Sequence, residues 1–377
     1  MSGASQSTGP TPSRRMIDIL SDDFRVVADD IRKRGVERAV GGAFSSLEAF
    51  YLTDDERRQL AAMKRVRRFF HRIGWFIRGL LMKLTPARRI MLAIALFTLL
   101  LGLQRIDINN RRITLRFPFL GSSLLFIVLV LELKDKLTAR DELEAGRKVQ
   151  LALMPTDSPT VPGWDIWLYT QPANDVGGDL VDHLPIDAER HAVALGDVAG
   201  KALPAALLSV KLQATIRALA PYFEALGDLG SGVNRILYRD GLPTRFASLV
   251  YLVLTNNSGH VRVLNAGHMP PLLLRDGAAT PMARGSMVLG IMPDTIFTEQ
   301  SIDLVANDTL VVYSDGVSEA MDEGGDFFGD DRLFAIIQTS GGLTARAAGE
   351  RILDRVKGFI GHAAPSDDLS LMVLRRL

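Results

Sequence analysis

The chain has 377 residues, 47 % of them hydrophobic and 23 % charged, and it contains no cysteine. That length accommodates about two folded units, each with its own core. The missing thiols exclude disulfides, thiolate zinc sites, iron–sulfur clusters and cysteine nucleophiles, so chemistry falls to carboxylates, histidine, hydroxyls, lysine or a metal held by oxygens. The net charge of +1 hides an asymmetry: Arg57 to Arg89 holds eleven Lys/Arg and no acid, which leaves −10 for the rest.

In chain order, residues 1–15 are rich in Ser, Thr, Gly and Pro, lack an apolar core, and are expected to form a disordered tail rather than a signal peptide. Residues 16–89 form an N-terminal helical basic region. Apolar residues recur from Ile17 to Ile31, Gly41-Gly42 interrupts them, and Thr53-Asp54-Asp55-Glu56 resembles a capping box. The basic run carries Phe69, Phe70, Trp75 and Phe76. A solvated basic helix and a nucleic-acid surface are alternatives. An arm attracted to anionic lipid explains better why the run leads straight into an apolar segment, so no nucleic-acid partner is expected.

Residues 90–131 contain two uncharged runs of 15, Ile90–Gln104 and Phe117–Leu131, separated by a loop with four arginines. A buried helical hairpin in a soluble protein is one reading. A transmembrane hairpin, its flanks extended by snorkelling Arg and Lys and both its ends cytoplasmic, accounts for the basic arm and the aromatic belt as well. This predicts a protein of the inner (cytoplasmic) membrane in contact with lipid, its C-terminal domain in the cytoplasm.

Residues 132–155 read as a linker helix with Leu133, Leu137, Leu143, Val149 and Leu153 among alternating charges, ending at Pro155. Packing onto the next domain and a parallel coiled coil, which would give a homodimer, both fit the pattern. Residues 156–377 form the last domain. Strands are expected at Trp164–Tyr169, His191–Leu195, Ser248–Leu254, His260–Leu264, Pro271–Leu274, Thr309–Tyr313 and Ser370–Leu374. Helices are expected at Leu203–Leu219, Leu226–Leu237 and Leu343–Ile360. Hairpin-like turns such as Thr255–Gly259 favour antiparallel sheets covered by helices, an α+β fold.

Four acidic positions stand beside turn glycines or strand ends: Asp179 after Gly177-Gly178, Asp197 after Gly196, Asp315 before Gly316, and the pair Asp367-Asp368 before the terminal strand. Each alone is ordinary turn chemistry. Together they present carboxylates toward one cleft, suited to hard divalent cations such as Mg²⁺ or Mn²⁺ and to a water nucleophile.

These motifs carry a family resemblance. Residues 150–377 resemble the bacterial SpoIIE/RsbU-type serine/threonine phosphatases of the metal-dependent PP2C-like superfamily. Six motifs occur in order: Val149-Gln150 with Leu153-Met154-Pro155; Gln171 to Asp179; Gly196-Asp197-Val198-Ala199-Gly200-Lys201; Asn265-Ala266-Gly267-His268; Tyr313 to Glu319 around Asp315-Gly316; and Asp367-Asp368-Leu369-Ser370. The resemblance implies an α-β-β-α sandwich of two antiparallel sheets. It implies two Mn²⁺ or Mg²⁺ ions, with Asp197 bridging, the Val198 carbonyl assisting, Asp179 on one side, and Asp315, Asp367 and Asp368 on the other. It also implies Gly200 and Lys201 as a regulatory switch, and Gly177, Gly178, Asn265, Gly267, His268 and Gly316 as structural motif residues. For His268 a general-acid role is the alternative; His183 reads as a surface residue. Ala199 and Ala202 depart from the small polar residue and glycine usual around Gly200-Lys201. The implied reaction is hydrolysis of phosphoserine or phosphothreonine on a regulatory protein such as an anti-sigma factor antagonist. The alternatives are a catalytically inactive phosphatase fold that binds a partner, and a nucleotide cyclase.

Overall fold

The computed structural model describes residues 63, 68, 71, 74–75, 78–79, 81–101, 103–108, 111–155, 158–240 and 245–377, with the backbone alone for 103–108 and 111–116. The tail and the capping box fall outside the described residues. The chain divides into two compact units, Met1–Lys134 and Asp135–Leu377.

In the first unit, α1 (Pro86–Leu101) is followed by β1 (Leu103–Ile108), β2 (Arg111–Arg116) and the start of α2 (Phe117–Leu153), whose residues from Asp135 on belong to the second unit. The first uncharged run is therefore helical as far as Leu101, with Leu103 and Gln104 in β1, and the second is helical throughout. The arginine-rich connection, expected as a loop, instead forms an antiparallel hairpin in which Leu103 faces Arg116 and Ile108 faces Arg111. Asn109-Asn110 between its strands is a turn signal that the arginines masked. Gly121 lets the two helices approach closely, because a Cβ there would lie 2.8 Å from the Ala95 carbonyl oxygen and from the Leu99 and Thr98 side chains. Arg88 donates to Glu132 at 2.7 Å at the other end of the pair. Ile90, Phe97, Leu100, Phe119, Phe126 and Leu129 remain exposed.

The second apolar run and the expected linker helix are one continuous helix of 37 residues. The composition changes at Glu132, but Leu, Glu, Lys and Ala are all good helix formers, so the backbone has no reason to break. Among the described residues, two helices reach by length and composition what a membrane crossing needs, Phe117–Leu153 and Ala202–Tyr222. The second lies in the other unit and buries Ala205, Leu212 and Ile216 in a core. At 16 residues α1 spans ~24 Å, short of the ~30 Å hydrocarbon thickness.

The second unit is a four-layer sandwich. Its elements are β3 (Trp164–Gln171), β4 (Leu180–Pro185), β5 (Arg190–Val198), α3 (Ala202–Leu219), α4 (Leu226–Asp240), β6 (Ala247–Thr255), β7 (His260–Ala266), β8 (Leu272–Arg275), β9 (Ala278–Pro281), β10 (Glu299–Asp303), β11 (Thr309–Tyr313), α5 (Asp315–Ser318), α6 (Asp330–Gln338), α7 (Ala345–Ile360) and β12 (Leu369–Arg376). One sheet has the order β10-β7-β6-β5-β4, the other β3-β12-β11-β8-β9, and every neighbouring pair is antiparallel.

Side-chain alternation builds three cores. Val193 and Leu195 of β5 point between the sheets, where they meet Val250, Leu252, Leu310 and Met372. Ala192, Ala194 and Val198 point the other way, into a core shared with α3 and α4. The second sheet packs Leu371 and Val373 against Leu333 of α6 and Ile352 and Val356 of α7. Central strands buried on both faces read as unbroken apolar runs, which is why the sequence reveals them. The elements it hides are β4, β9, β10, α5 and α6. In β10, Glu299-Gln300-Ser301-Ile302-Asp303 lies at a sheet edge with its faces largely exposed, so burial leaves little hydrophobic signal.

Candidate active site

The acidic residues gather where the two sheets end together. In β4–β5, Leu180 faces Gly196, which sets Asp179 beside Asp197, while Asp197 itself faces Ser248 of β6. In the other sheet Tyr313 faces Leu371, so Asp315, two residues past β11, and Asp367-Asp368, directly before β12, share one end.

Asp368 ties the ends together. Its Oδ1 accepts the Ala173 amide at 2.8 Å, and its Oδ2 accepts those of Gly178 at 2.7 Å and Asp179 at 3.2 Å. Gly177 is required by this approach: a Cβ there would lie 2.4 Å from Asp368 Oδ2. The same turn is held from behind by Gln150, whose buried amide bonds the Gly177 carbonyl at 2.7 Å and its N–H at 3.2 Å. Asp368, expected as a metal ligand, thus also grips this turn, and Gln150 is a latch that the sequence reading did not assign. Both functions are backbone contacts across the fold, and only the motif positions of these residues hinted at them.

The electrostatics set these carboxylates apart from surface charge. Asp179 is buried, and its Oδ2 has no hydrogen-bond partner. Burial, then the neighbouring Asp197 and Asp368, holds its carboxyl well above the usual carboxylate range, although the Ser370 and Ser314 hydroxyls oppose the shift. Asp197 is raised to about 7 by burial and by Asp315, Asp367 and Asp368. Asp315 is raised by burial and by Asp367 and Glu319. Carboxylates that repel one another, with a buried oxygen left unpaired, form an all-oxygen donor set that fits divalent cations. Among the described residues, no three Asp, Glu or His side chains already close into a ligand cage.

Lys201 borders the cluster, with its Nζ donating to the Ser366 carbonyl at 3.0 Å and lying 3.5 Å from Asp367 Oδ2. The backbone turns sharply here. Gly200 has φ +121°, and Ala202, the first residue of α3, has φ +60° without being glycine. Arg245 bonds the Ala199 carbonyl at 2.7 Å.

The histidines take other positions. His268 is buried between Ser248 and the Tyr313 carbonyl, and Asn265 Oδ1 accepts its backbone N–H at 2.9 Å. Burial lowers its pKa to about 4, so it has no proton to give as a general acid near neutrality. His183 is half-buried and pairs with His191 Nδ1 at 3.3 Å rather than with the carboxylates. Asp182, passed over in the sequence, is a buried partner of Arg217 at 2.6 Å.

Comparison with known proteins agrees with this geometry. Residues 187–377 match the family described as stage II sporulation protein E (SpoIIE). The chain is 27 % identical over 310 residues to protein IcfG of Synechocystis sp. (strain ATCC 27184 / PCC 6803 / Kazusa), covering 72 % of this chain and 48 % of IcfG. It is 27 % identical over 242 residues to phosphoserine phosphatase RsbU of Bacillus subtilis (strain 168), covering 63 % of this chain and 70 % of RsbU. The matched part thus spans about half the length of IcfG. Among solved structures, the SiaA-PP2C domain of Pseudomonas aeruginosa superposes with a TM-score of 0.57 at 18 % identity, over 64 % of this chain and 98 % of that domain. The sandwich is a PP2C fold.

Proposed function

The chain belongs to the SpoIIE family, and from that membership we propose that it is a metal-dependent protein serine/threonine phosphatase. The observation that carries the reading is the convergence of Asp179, Asp197, Asp315 and Asp367, brought from four separate segments to one end of the sandwich, where burial and mutual repulsion raise the carboxyl pKa values of Asp179, Asp197 and Asp315 and one oxygen of Asp179 is orphaned. In this reading those four carboxylates and the Val198 carbonyl hold two Mn²⁺ or Mg²⁺ ions. Such ions supply Lewis acidity at phosphorus and lower the pKa of water.

The chain's own residues supply the rest. Asp368 accepts three backbone amides and so holds the Gly177–Asp179 turn in place. Gln150 backs that turn from α2. Lys201 keeps a positive charge beside Asp367, where a phosphoryl dianion must approach an acidic cleft. No protein nucleophile is required, in keeping with a chain that has no cysteine.

The substrate in this reading is a phosphoserine or phosphothreonine on a regulatory protein, an anti-sigma factor antagonist in a cascade controlling a sigma factor. RsbU, a relative, is named a phosphoserine phosphatase. The test is Mn²⁺-dependent release of phosphate from phosphorylated antagonist proteins by the full-length chain. Asp197→Asn should abolish it without unfolding the protein, and unchanged activity in that variant would sink the assignment.

In this reading the chain comprises a tail at 1–15, a basic region at 16–89, a membrane hairpin at 90–131, a linker helix at 132–155 that continues the second hairpin helix as α2, and the phosphatase domain at 156–377. In this reading the protein lies at the inner membrane with the phosphatase in the cytoplasm, which the exposed apolar side chains on α1 and the first half of α2 support, since they favour lipid around them. The exposed Leu133, Leu137 and Val149 on α2 suit a homodimer through this helix.

A further inference from the structure

His268 bridges the two halves of the acidic cluster. It lies in the connection by which the chain leaves one sheet at β7 and enters the other at β8. Its Nε2 is 3.0 Å from the Tyr313 carbonyl oxygen, which can only accept, so Nε2 carries the proton. The other ring nitrogen, Nδ1, then accepts from the Ser248 hydroxyl at 2.7 Å. Burial keeps the ring neutral, so both bonds keep their direction across the neutral pH range.

Each end of this bridge abuts a carboxylate. Ser248 is the cross-strand partner of Asp197, so the two side chains are direct neighbours on the same sheet face. Tyr313 is the last residue of β11, and Ser314 and Asp315 follow it. Ser314 carries the connection onward: its N–H donates to the Ser370 carbonyl and its hydroxyl to the Asp368 carbonyl, both at 3.0 Å. A polar chain thus runs from Ser248 beside Asp197, through His268, to the backbone that sets Asp315 and Asp368.

We propose that the Ser248–His268–Tyr313 connection is a positioning device that sets the spacing between Asp197 on one sheet and Asp315 on the other, and with it the affinity of the cluster for divalent metal. The inference rests on the phosphatase reading above. A neutral, fully committed imidazole suits such a strap, since groups one step behind metal-binding side chains govern their orientation. Hydrophobic packing between the sheets carries no direction along the strands; the two His268 bonds add directional restraint to the bonds that Asp368 makes across the same end.

The experiment is Mn²⁺ titration by calorimetry on the full-length protein, alongside kcat and KM on a phosphoserine protein at saturating Mn²⁺. Ser248→Ala, which removes one bond with little loss of packing, and His268→Gln are the variants. Both should bind Mn²⁺ on the order of tenfold more weakly, the usual cost of losing a group that orients metal-binding side chains. Both should lose kcat while KM stays within about twofold, since KM reports contacts that Ser248 and His268 do not make. Ser248→Thr should regain most of what Ser248→Ala loses. The double variant should be no worse than the poorer single, because the residues act as one unit.

If His268→Gln fails to fold, Ser248→Ala decides alone. A folded Ser248→Ala protein with wild-type Mn²⁺ affinity and kcat, or additive losses in the double variant, would overturn the inference. Wild-type protein that neither binds Mn²⁺ nor releases phosphate would instead overturn the phosphatase reading.

Discussion

Replacing Asp197 by Asn should stabilise the metal-free protein while destroying its activity. In the folded state the Asp197 carboxyl is raised to about 7, first by burial and then by Asp315, Asp367 and Asp368. Against the ordinary 3.8, that is a rise of about three units, each ~1.4 kcal/mol. Above pH 7 the ionised group therefore opposes folding by an amount on the order of 4 kcal/mol. An asparagine amide removes the charge but must still be hydrogen-bonded, so about 2 kcal/mol of net gain is expected. For a unit of this size that is a rise in Tm of roughly 5 °C.

The pH dependence has a definite sign. A carboxyl raised in the folded state carries no penalty below its unfolded pKa near 4, a growing one between about 4 and 7, and the full penalty above 7. The advantage of Asp197→Asn should accordingly be largest at pH 8 and vanish by about pH 4. Differential scanning calorimetry of both proteins in chelator at pH 8, 6 and 4.5 measures it. Added Mn²⁺ should then raise the Tm of the wild type far more than that of the variant, since only the wild type retains the full donor set. A variant less stable than wild type in chelator at pH 8 would refute the claim that the cluster is held against its own repulsion.

Three further outcomes are expected. Arg217→Ala leaves the Asp182 carboxylate buried without its partner and should cost about 3 kcal/mol in urea unfolding, most of it recovered by Asp182→Asn with Arg217→Met. Ala202 sits at φ +60°, so Ala202→Gly should stabilise the fold by about 0.5 kcal/mol and Ala202→Val should destabilise it by more than ~1 kcal/mol, measured in the same way. Carbonate extraction of membranes should leave the full-length protein in the pellet; its release into the soluble fraction would argue against spanning helices.

Burial decided which parts of this fold were legible. The strands of the two central layers are apolar on both faces, so β5, β6, β11 and β12 stand out as unbroken runs in the sequence. Edge elements such as β10 and short ones such as β9 are half-solvated, and their residues carry no such mark. The aspartates were visible as a set because turn glycines flank them, a local signal. What each one touches was not visible, because the partners lie far along the chain, as with Asp368 and the Gly178 amide, 190 positions apart.

By itself, then, the sequence determined the cysteine-free chemistry, the two apolar runs behind a basic segment, the alternation that makes two antiparallel sheets, and which carboxylates stand at strand ends. Those are consequences of composition and short-range periodicity. Tertiary structure alone decided that Asp368 grips a turn, that Gln150 latches that turn to α2, that His268 spans the two sheets, and that Asp197 is raised to about 7. Each of these arises from pairing between segments distant in sequence, where register, burial and neighbouring charge exist only once the two sheets have closed on one another.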